Sequence, residues 1–355
     1  MLIFDGHLDL AMNAIEWNRD YTRPLAEVRQ REQGLTDKRD RGLNVLTLDE
    51  MRRGRVGVCI ATQIARYVGP DNPLPGWHSP EIAWAVTQAQ LAWYRAMEEA
   101  GQMVQIVDRQ GLNRMVELWQ HDPPPDAPIG YILSLEGADS ILTPAHLERA
   151  YADGLRAVGP AHYGPGRYSP GTAASGGLTP LGRELLCEMQ RLGVVLDATH
   201  LTDEAFWEAL DLFDGPVWAS HNNCRALVPE GRQFSDDQIR ALIERDAVIG
   251  MAFDAWMMTP GWIRGQTTPQ QANLNLDRIV PHIDHICQLA GNARHVGIGS
   301  DLDGGYGREQ CPQDLETIAD LQRLTGLLAE RGYPQPDIEA IMYGNWVRRL
   351  NEIWG

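Results

Sequence analysis

Short apolar runs that end in polar residues alternate along this chain with longer stretches in which apolar residues recur every three or four positions. The first pattern is that of a buried strand and the second that of an amphipathic helix, so the chain reads as a series of strand–helix units. Eight runs qualify as strands, over residues 2–5, 56–63, 129–136, 155–161, 194–199, 217–220, 248–253 and 296–300. Helices are predicted over 80–100, 178–192, 203–212, 235–245, 274–289 and 315–331. In the first of these, Ala83, Val86, Leu91 and Tyr94 fall on the side expected to face inward. Thr202-Asp203-Glu204 and Ser235-Asp236-Asp237 supply helix starts.

Eight such units in 355 residues predict an α/β fold, a closed (β/α)8 barrel spanning 1–355 as one domain. A doubly wound open sheet is the competing architecture, but no Gly-x-Gly-x-x-Gly follows the first strand to support it. Two insertions break the rhythm. Residues 16–49 are charged and arginine-rich, residues 67–79 are rich in Pro and Gly, and each would either fold over the barrel mouth or remain a solvated loop. Pro123-Pro124-Pro125 reads as a stiff connector.

Composition narrows this picture. Hydrophobic residues make up 43% of the chain, enough for a sizeable core, and the formal net charge of −17 argues against nucleic acid or an anionic membrane surface as a partner. No apolar run approaches the length of a membrane span. Met1-Leu2-Ile3-Phe4 leads directly into the first polar motif, without the basic and apolar regions of a secretory leader. Cys59, Cys187, Cys224, Cys287 and Cys311 are scattered, odd in number and free of C-x-x-C spacing, the usage of reduced thiols. Both features predict a cytoplasmic protein.

The first strand runs into Asp5-Gly6-His7-Leu8-Asp9. Side chains two apart on a strand share a face, so His7 and Asp9 can close on one cation, and an imidazole with a carboxylate suits a borderline divalent metal such as zinc. Alone, the pair is equally what a surface turn would give. Metal-type residues recur, however, where later strands end: Glu136 after the third, His162 after the fourth, His200 after the fifth, His221 after the sixth, and Asp301 with Asp303 after the eighth. Barrel enzymes build their sites at the C-terminal ends of strands, so these side chains are expected to converge. The chain's only lysine, Lys38, lies in the polar segment 34–42 with no apolar strand around it. A carbamylated lysine on a barrel strand is therefore not available as a metal bridge, and a bridging ligand is expected to be an ordinary carboxylate.

With these residues in view, the chain resembles the membrane (renal-type) dipeptidase family, zinc metallopeptidases of the amidohydrolase superfamily. The matching stretches are Asp5-Gly6-His7-x-Asp9-Leu10, Ser134-x-Glu136-Gly137, Gly177-Leu178-Thr179-x-x-Gly182 and Glu188-Met189-x-Arg191-Leu192-Gly193. Leu196-Asp197-x-x-His200, Ser220-His221-x-Asn223, Gly297-x-Gly299-Ser300-Asp301-x-Asp303-Gly304 and Gly344-Asn345-Trp346-x-Arg348 complete the set, in order along nearly the whole chain.

The resemblance implies two zinc ions per chain, His7 and Asp9 on one, His200 and His221 on the other, and Glu136 bridging; the lysine count favours the same carboxylate bridge. It implies that Asp301 carries a proton from the activated water to the leaving amine, and that His162 polarises the scissile carbonyl. Arg232 matches the arginine that recognises a substrate carboxylate, with Arg225 as its competitor. Asp303 is the nearby rival of Asp301 and is assigned either to supporting the site residues from behind or to forming the loop. Asp254 departs from the family, where an aromatic residue is frequent; an acid there would pair with a substrate α-ammonium or be a solvated loop acid. Leu8 stands for a common Asn, and is expected to alter packing beneath the first metal; Leu302 stands for a common Phe, and Ala161-His162-Tyr163 for Thr-His-Ser. The implied activity is hydrolysis of dipeptides with a free C-terminus, L-Xaa-D-Xaa included. Small dipeptides are thus the expected partners, and a homodimer is the assembly that the family suggests. The alternatives are hydrolysis of N-acyl amino acids or lactones on the same metals, or a non-catalytic metal-dependent binding protein.

Overall fold

In the computed structural model, which describes residues 1–70 and 72–355, the apolar runs become nine parallel strands. They are β1 (Ile3–Leu8), β2 (Val56–Ile64), β3 (Met103–Gln105), β4 (Ile129–Glu136), β5 (Leu155–Gly159), β6 (Val195–Asp197), β7 (Val217–Trp218), β8 (Ile249–Met251) and β9 (Val296–Ile298). Eight follow the order β7-β6-β5-β4-β2-β1-β9-β8, and β3 pairs with β4 beside this path. Ala219, just past β7, bridges to Ile249 of β8, and the Gly250 N–H donates to the Ala219 carbonyl at 2.8 Å. This seam joins the two ends of the row into the (β/α)8 barrel that the sequence predicts. The backbones meet closely there, since a Cβ on Gly250 or Gly299 would fall 1.9 Å from the Ser220 carbonyl oxygen. Glycine lets these strand ends approach.

Five strands stop earlier than the apolar runs suggest, β7 among them at Trp218. The others, β5, β6, β8 and β9, end at Gly159, Asp197, Met251 and Ile298, which leaves the chemistry-bearing residues in loops just beyond the strands. β3 is too short for periodicity to reveal. Of the helices, Asp203–Leu212 lies where expected, and Asp236–Glu244 begins with a reciprocal capping box between Ser235 and Gln238. The segment 274–289 divides into a tight turn at Leu276–Ile279 and the helix Val280–Ala290. Helix Pro80–Glu99 buries Thr87 and Gln90 where Val86 is expected to face inward; Val86 is half-buried. Gln90 holds that position by accepting from the Ile64 N–H and donating to its carbonyl, each at 2.8 Å, so a polar residue satisfies the end of β2. Helix Arg109–Gln120, capped by Asp108, is not among the predicted elements.

Trp346, at the start of helix Asn345–Ile353, is fully buried against Phe4 and Trp218, and its indole N–H donates to the Ile298 carbonyl at 2.9 Å. Leu8 belongs to the same main core; alternation along β1 sets it on the face opposite His7, so it packs away from the metal-type residues rather than beneath them. Among the described residues, no helix is long and apolar enough to cross a membrane.

The 16–49 insertion folds onto the barrel mouth. Its Arg19 is buried in a charged cluster, donating to Glu32 at 2.9 Å, to Asp40 at 2.8 Å and to Asn13 at 2.8 Å. Asp303, in the loop after β9, pins the insertion: it accepts from the Val45 N–H at 2.8 Å, the Leu46 N–H at 3.2 Å and the Tyr21 hydroxyl at 3.0 Å. Of the two roles expected of Asp303, this is the loop-forming one. In the 67–79 insertion, Tyr67 bridges to Trp77; position 71 of that segment lies outside the described residues. Asp303→Ala leaves those three donors without their acceptor in a buried place, which should cost about 3–5 kcal/mol. Denaturant unfolding measures this, and a loss below about 1 kcal/mol would show that the insertion is anchored elsewhere.

Candidate metal centre

The C-terminal ends of the strands bring together His7 from β1 and Asp9 just past it, Glu136 from β4, and His200 and His221 from the loops after β6 and β7. His162, after β5, and Asp301, after β9, enter the same space. Two buried carboxylates brace this rim. Asp5 accepts from the N–H groups of His7 at 3.1 Å and Ser300 at 2.8 Å, tying β1 to the loop after β9. Asp197 accepts from Thr199 at 3.1 Å and Ser220 at 3.0 Å, tying β6 to β7. Past those clamps the chain turns sharply: His200 (φ +69°), Asp301 (φ +58°) and Asp303 (φ +62°) are all left-handed. For a residue bearing a side chain such a conformation costs of order 1–3 kcal/mol, and it persists where the surroundings over-determine it.

Glu136 Oε1 lies 3.0 Å from His200 Nε2, 3.4 Å from His221 Nε2 and 3.7 Å from His7 Nε2. His200 and His221 present their Nε2 atoms to each other at 3.2 Å. His7 Nε2 is 3.8 Å from both Asp9 Oδ1 and Asp301 Oδ1. Hydroxyls orient the rings from behind: Ser220 Oγ is 3.3 Å from His7 Nδ1 and 3.0 Å from His221 Nδ1, and Thr172 Oγ1 is 2.7 Å from His200 Nδ1. A hydroxyl oxygen can accept from an imidazole N–H, which leaves Nε2 as the ring nitrogen that faces the site and can give its lone pair to a cation. His7 Nε2 and Asp9 Oδ1 are buried and, among the described residues, have no hydrogen-bond partner. Arg232 Nη2 reaches to 3.5 Å from His200 Nε2 at the edge of the cluster, and the electron pairs that converge on Glu136 are the environment of a cation. The residues present therefore fit a divalent metal that takes nitrogen and oxygen ligands.

The electrostatics agree. Burial, reinforced by neighbouring positive groups, pushes His200 and His221 well below the ordinary imidazole range. Burial opposes charge on His7 as well, but Glu136, Asp9 and Asp301 outweigh it and hold that imidazole at about 10. Burial raises Glu136 to about 8 against the pull of His7. Asp301 is likewise held by burial well above the carboxylate range, with Asp9 and Glu136 adding to the effect and His7 opposing it.

A cavity of about 660 Å³ opens over these residues, and a second of about 600 Å³ adjoins it; Tyr163, Arg232, Trp256 and Arg264 line both. Arg232 is buried, donating to Asn222 Oδ1 and, at 2.8 Å, to the His221 carbonyl. Arg225 is turned away, with its terminal nitrogens on Asp203 at 2.8 and 2.7 Å. Asp254 is not a solvated loop acid. It is buried in the cavity wall and accepts from Arg264 at 2.6 Å, Trp256 at 2.7 Å and Gln310 at 2.8 Å. Sequence reasoning missed Arg66, whose guanidinium lies 2.8 Å from His162 Nδ1, and Arg264. Nothing in their local spacing marks them. Lys38, discounted as a bridge, lines the cavity with its ammonium 4.1 Å from the centre of the Trp17 ring.

The chain is similar in sequence and in fold to known proteins. A sequence model of the membrane dipeptidase family, peptidase family M19, matches residues 1–354. An uncharacterized protein of the pqqA 5′ region of Klebsiella pneumoniae is 31% identical over 218 residues, 59% of this chain and 76% of that protein. Dipeptidase tcpJ of Claviceps purpurea is 28% identical over 213 residues, 60% of this chain and 44% of that one. The matched region thus spans about half the length of such fungal relatives. Among solved structures, an M19 metallopeptidase described as dipeptidase AC superposes with a TM-score of 0.79 at 24% identity, covering 100% of this chain and 99% of that one. A metallopeptidase from Rhodobacter sphaeroides, liganded with a phosphinate mimic of the dipeptide L-Ala-D-Ala, gives 0.76 at 23% identity, covering 100% and 99%.

A metal that binds His7 must displace the proton that the three carboxylates hold there, so affinity falls as pH falls. Chelator competition at pH 8 and pH 6 should show weaker zinc binding at the lower value, with proton release on uptake. Glu136→Gln should reduce the metal retained per chain, and an unchanged metal content would remove Glu136 from the ligand set.

Proposed function

The chain belongs to the membrane dipeptidase family, peptidase family M19, and from that premise we propose that it hydrolyses dipeptides bearing a free C-terminal carboxylate, L-Xaa-D-Xaa among them, at a centre of two zinc ions. The observation that carries the reading is the convergence of His7, Asp9, Glu136, His200 and His221, with two buried ligand atoms lacking any other partner among the described residues. His7 and Asp9 would hold one ion, His200 and His221 the other, and Glu136, which lies within 3.7 Å of all three of these imidazoles, both. When bound, such ions supply a Lewis acid and a water acidified toward neutrality.

The chain's own side chains do the rest. Asp301 stands beside His7 at the wall of the cavity, and a carboxyl held above its usual range is suited to take a proton and pass it to the departing amine. His162 stands across Glu136 from His7 and donates to the carbonyl oxygen as charge develops on it. Arg232 borders both cavities, and a guanidinium there grips a carboxylate through paired hydrogen bonds. Gripping the terminal carboxylate rather than the adjoining side chain leaves room for either configuration at that residue. The phosphinate dipeptide bound by the R. sphaeroides relative supports an L–D pair. Asp254 is a weaker candidate for the α-ammonium, because Arg264 already neutralises it.

Arg232→Ala should lower kcat/KM for dipeptides by about 10- to 100-fold, the scale of lost charge-assisted hydrogen bonds, while turnover of the matching C-terminal amides hardly changes. Equal losses on acid and amide would remove Arg232 from carboxylate recognition. Asp301→Asn should keep its metal and lose about 10²–10⁴ in kcat. The whole reading is tested by a dipeptide library with L- and D-residues at the second position, run on metal-quantified enzyme. No turnover of any member would sink it.

A further inference from the structure

One imidazole at this centre has a partner that cannot accept a proton. His162 Nδ1 lies 2.8 Å from Arg66 Nη2. A guanidinium carries donors only and stays charged at any pH the protein meets, so this hydrogen bond has a single direction. Arg66 donates, and Nδ1 must hold the lone pair. A neutral imidazole with its lone pair on Nδ1 carries its proton on Nε2. That nitrogen is the one that faces the site, 3.9 Å from Glu136 Oε2.

We propose that Arg66 is a positioning residue that locks His162 as the Nε2–H tautomer, barring it from the metal and keeping it a hydrogen-bond donor to substrate. By distance alone His162 qualifies as a ligand, since it groups with Glu136 and His200 with ligand atoms within 4.8 Å of one another. The atom behind each ring separates the cases. His7, His200 and His221 are backed by hydroxyls of Ser220 and Thr172, which can accept a hydrogen bond from Nδ1–H and leave Nε2 for a cation. His162 alone among the four is backed by a pure donor.

Arg66 is itself held in place. Its Nη1 donates to the Pro75 carbonyl at 2.8 Å, and the Trp77 N–H donates to the Arg66 carbonyl at 2.8 Å. Its guanidinium also lies over the Tyr163 ring, 5.8 Å from the centre. The 67–79 insertion thereby buttresses the arginine that sets the state of a histidine 96 positions further along the chain.

The donor's purpose rests on the dipeptidase reading above, whereas the tautomer can be read without substrate. Long-range proton–nitrogen correlation on isotope-labelled histidine distinguishes protonated from unprotonated ring nitrogens in the zinc-loaded protein, and His162→Gln identifies the His162 signals. The wild type should show an unprotonated Nδ1 and a protonated Nε2. Arg66→Met should populate the other tautomer and lower kcat at least about tenfold with little change in KM, toward the roughly 10²–10³ lost when one oxyanion donor is removed. Arg66→Lys, also a pure donor, should keep the tautomer and recover part of kcat. A protonated Nδ1 or a zinc-bound Nε2 in the wild type would overturn the proposal. So would a tautomer unchanged in Arg66→Met. Correct tautomers in a protein that turns over no dipeptide would instead overturn the substrate reading and leave the lock standing.

Discussion

The Glu136 carboxylate oxygen lies 3.0 and 3.4 Å from two imidazole nitrogens that are themselves only 3.2 Å apart, a meeting of electron pairs that costs energy until a positive charge joins it. Apolar packing does not produce such a cluster; it has to be imposed. The barrel imposes it through parallel strands that all end at one mouth, and through the Asp5 and Asp197 clamps that fix neighbouring strand ends to each other. The left-handed turns at His200 and Asp301 belong to the same strain, placed where the surrounding bonds leave the chain no easier path.

Around that cluster the protein separates roles by what stands behind each ring. Ser220 serves both His7 and His221, and so couples a histidine from β1 to one from the far side of the row of strands. Thr172 serves His200 from the loop after β5, and Arg66 serves His162 from the loop after β2. One histidine of four is thus set apart from the other three without any difference in its own side chain.

The two insertions are working parts of the mouth. The 16–49 segment is fastened through Asp303 and the Arg19 cluster, and it delivers Trp17 and Lys38 to the cavity. The 67–79 segment delivers Trp77 and holds Arg66. Lys38, Arg66, Arg232 and Arg264 therefore line the cavity beside Asp9, Glu16, Glu136, Asp254 and Asp301, so both signs of charge meet at the mouth of a chain whose net charge is −17.

Periodicity determined the barrel, because strand and helix patterns report how each residue meets its near neighbours and the core. Residue type and strand-end position also determined His7, Asp9, Glu136, His162, His200, His221 and Asp301 as one group, since parallel strands make that convergence a consequence of topology. The sequence could not show that Gln90 outcompetes Val86 for the buried face, because hydrogen bonding to Ile64, not hydrophobicity, decides it. Nor could it show that Asp254 is neutralised by Arg264, that Lys38 reaches the cavity, or that Arg66 contacts His162. Those relations join residues in separate loops whose folding depends on long-range contacts, and a hydrogen bond's direction depends on which donor arrives. Which residues gather at the mouth was legible in the order of residues; the hydrogen-bond partners behind each ring were decided only by the tertiary structure.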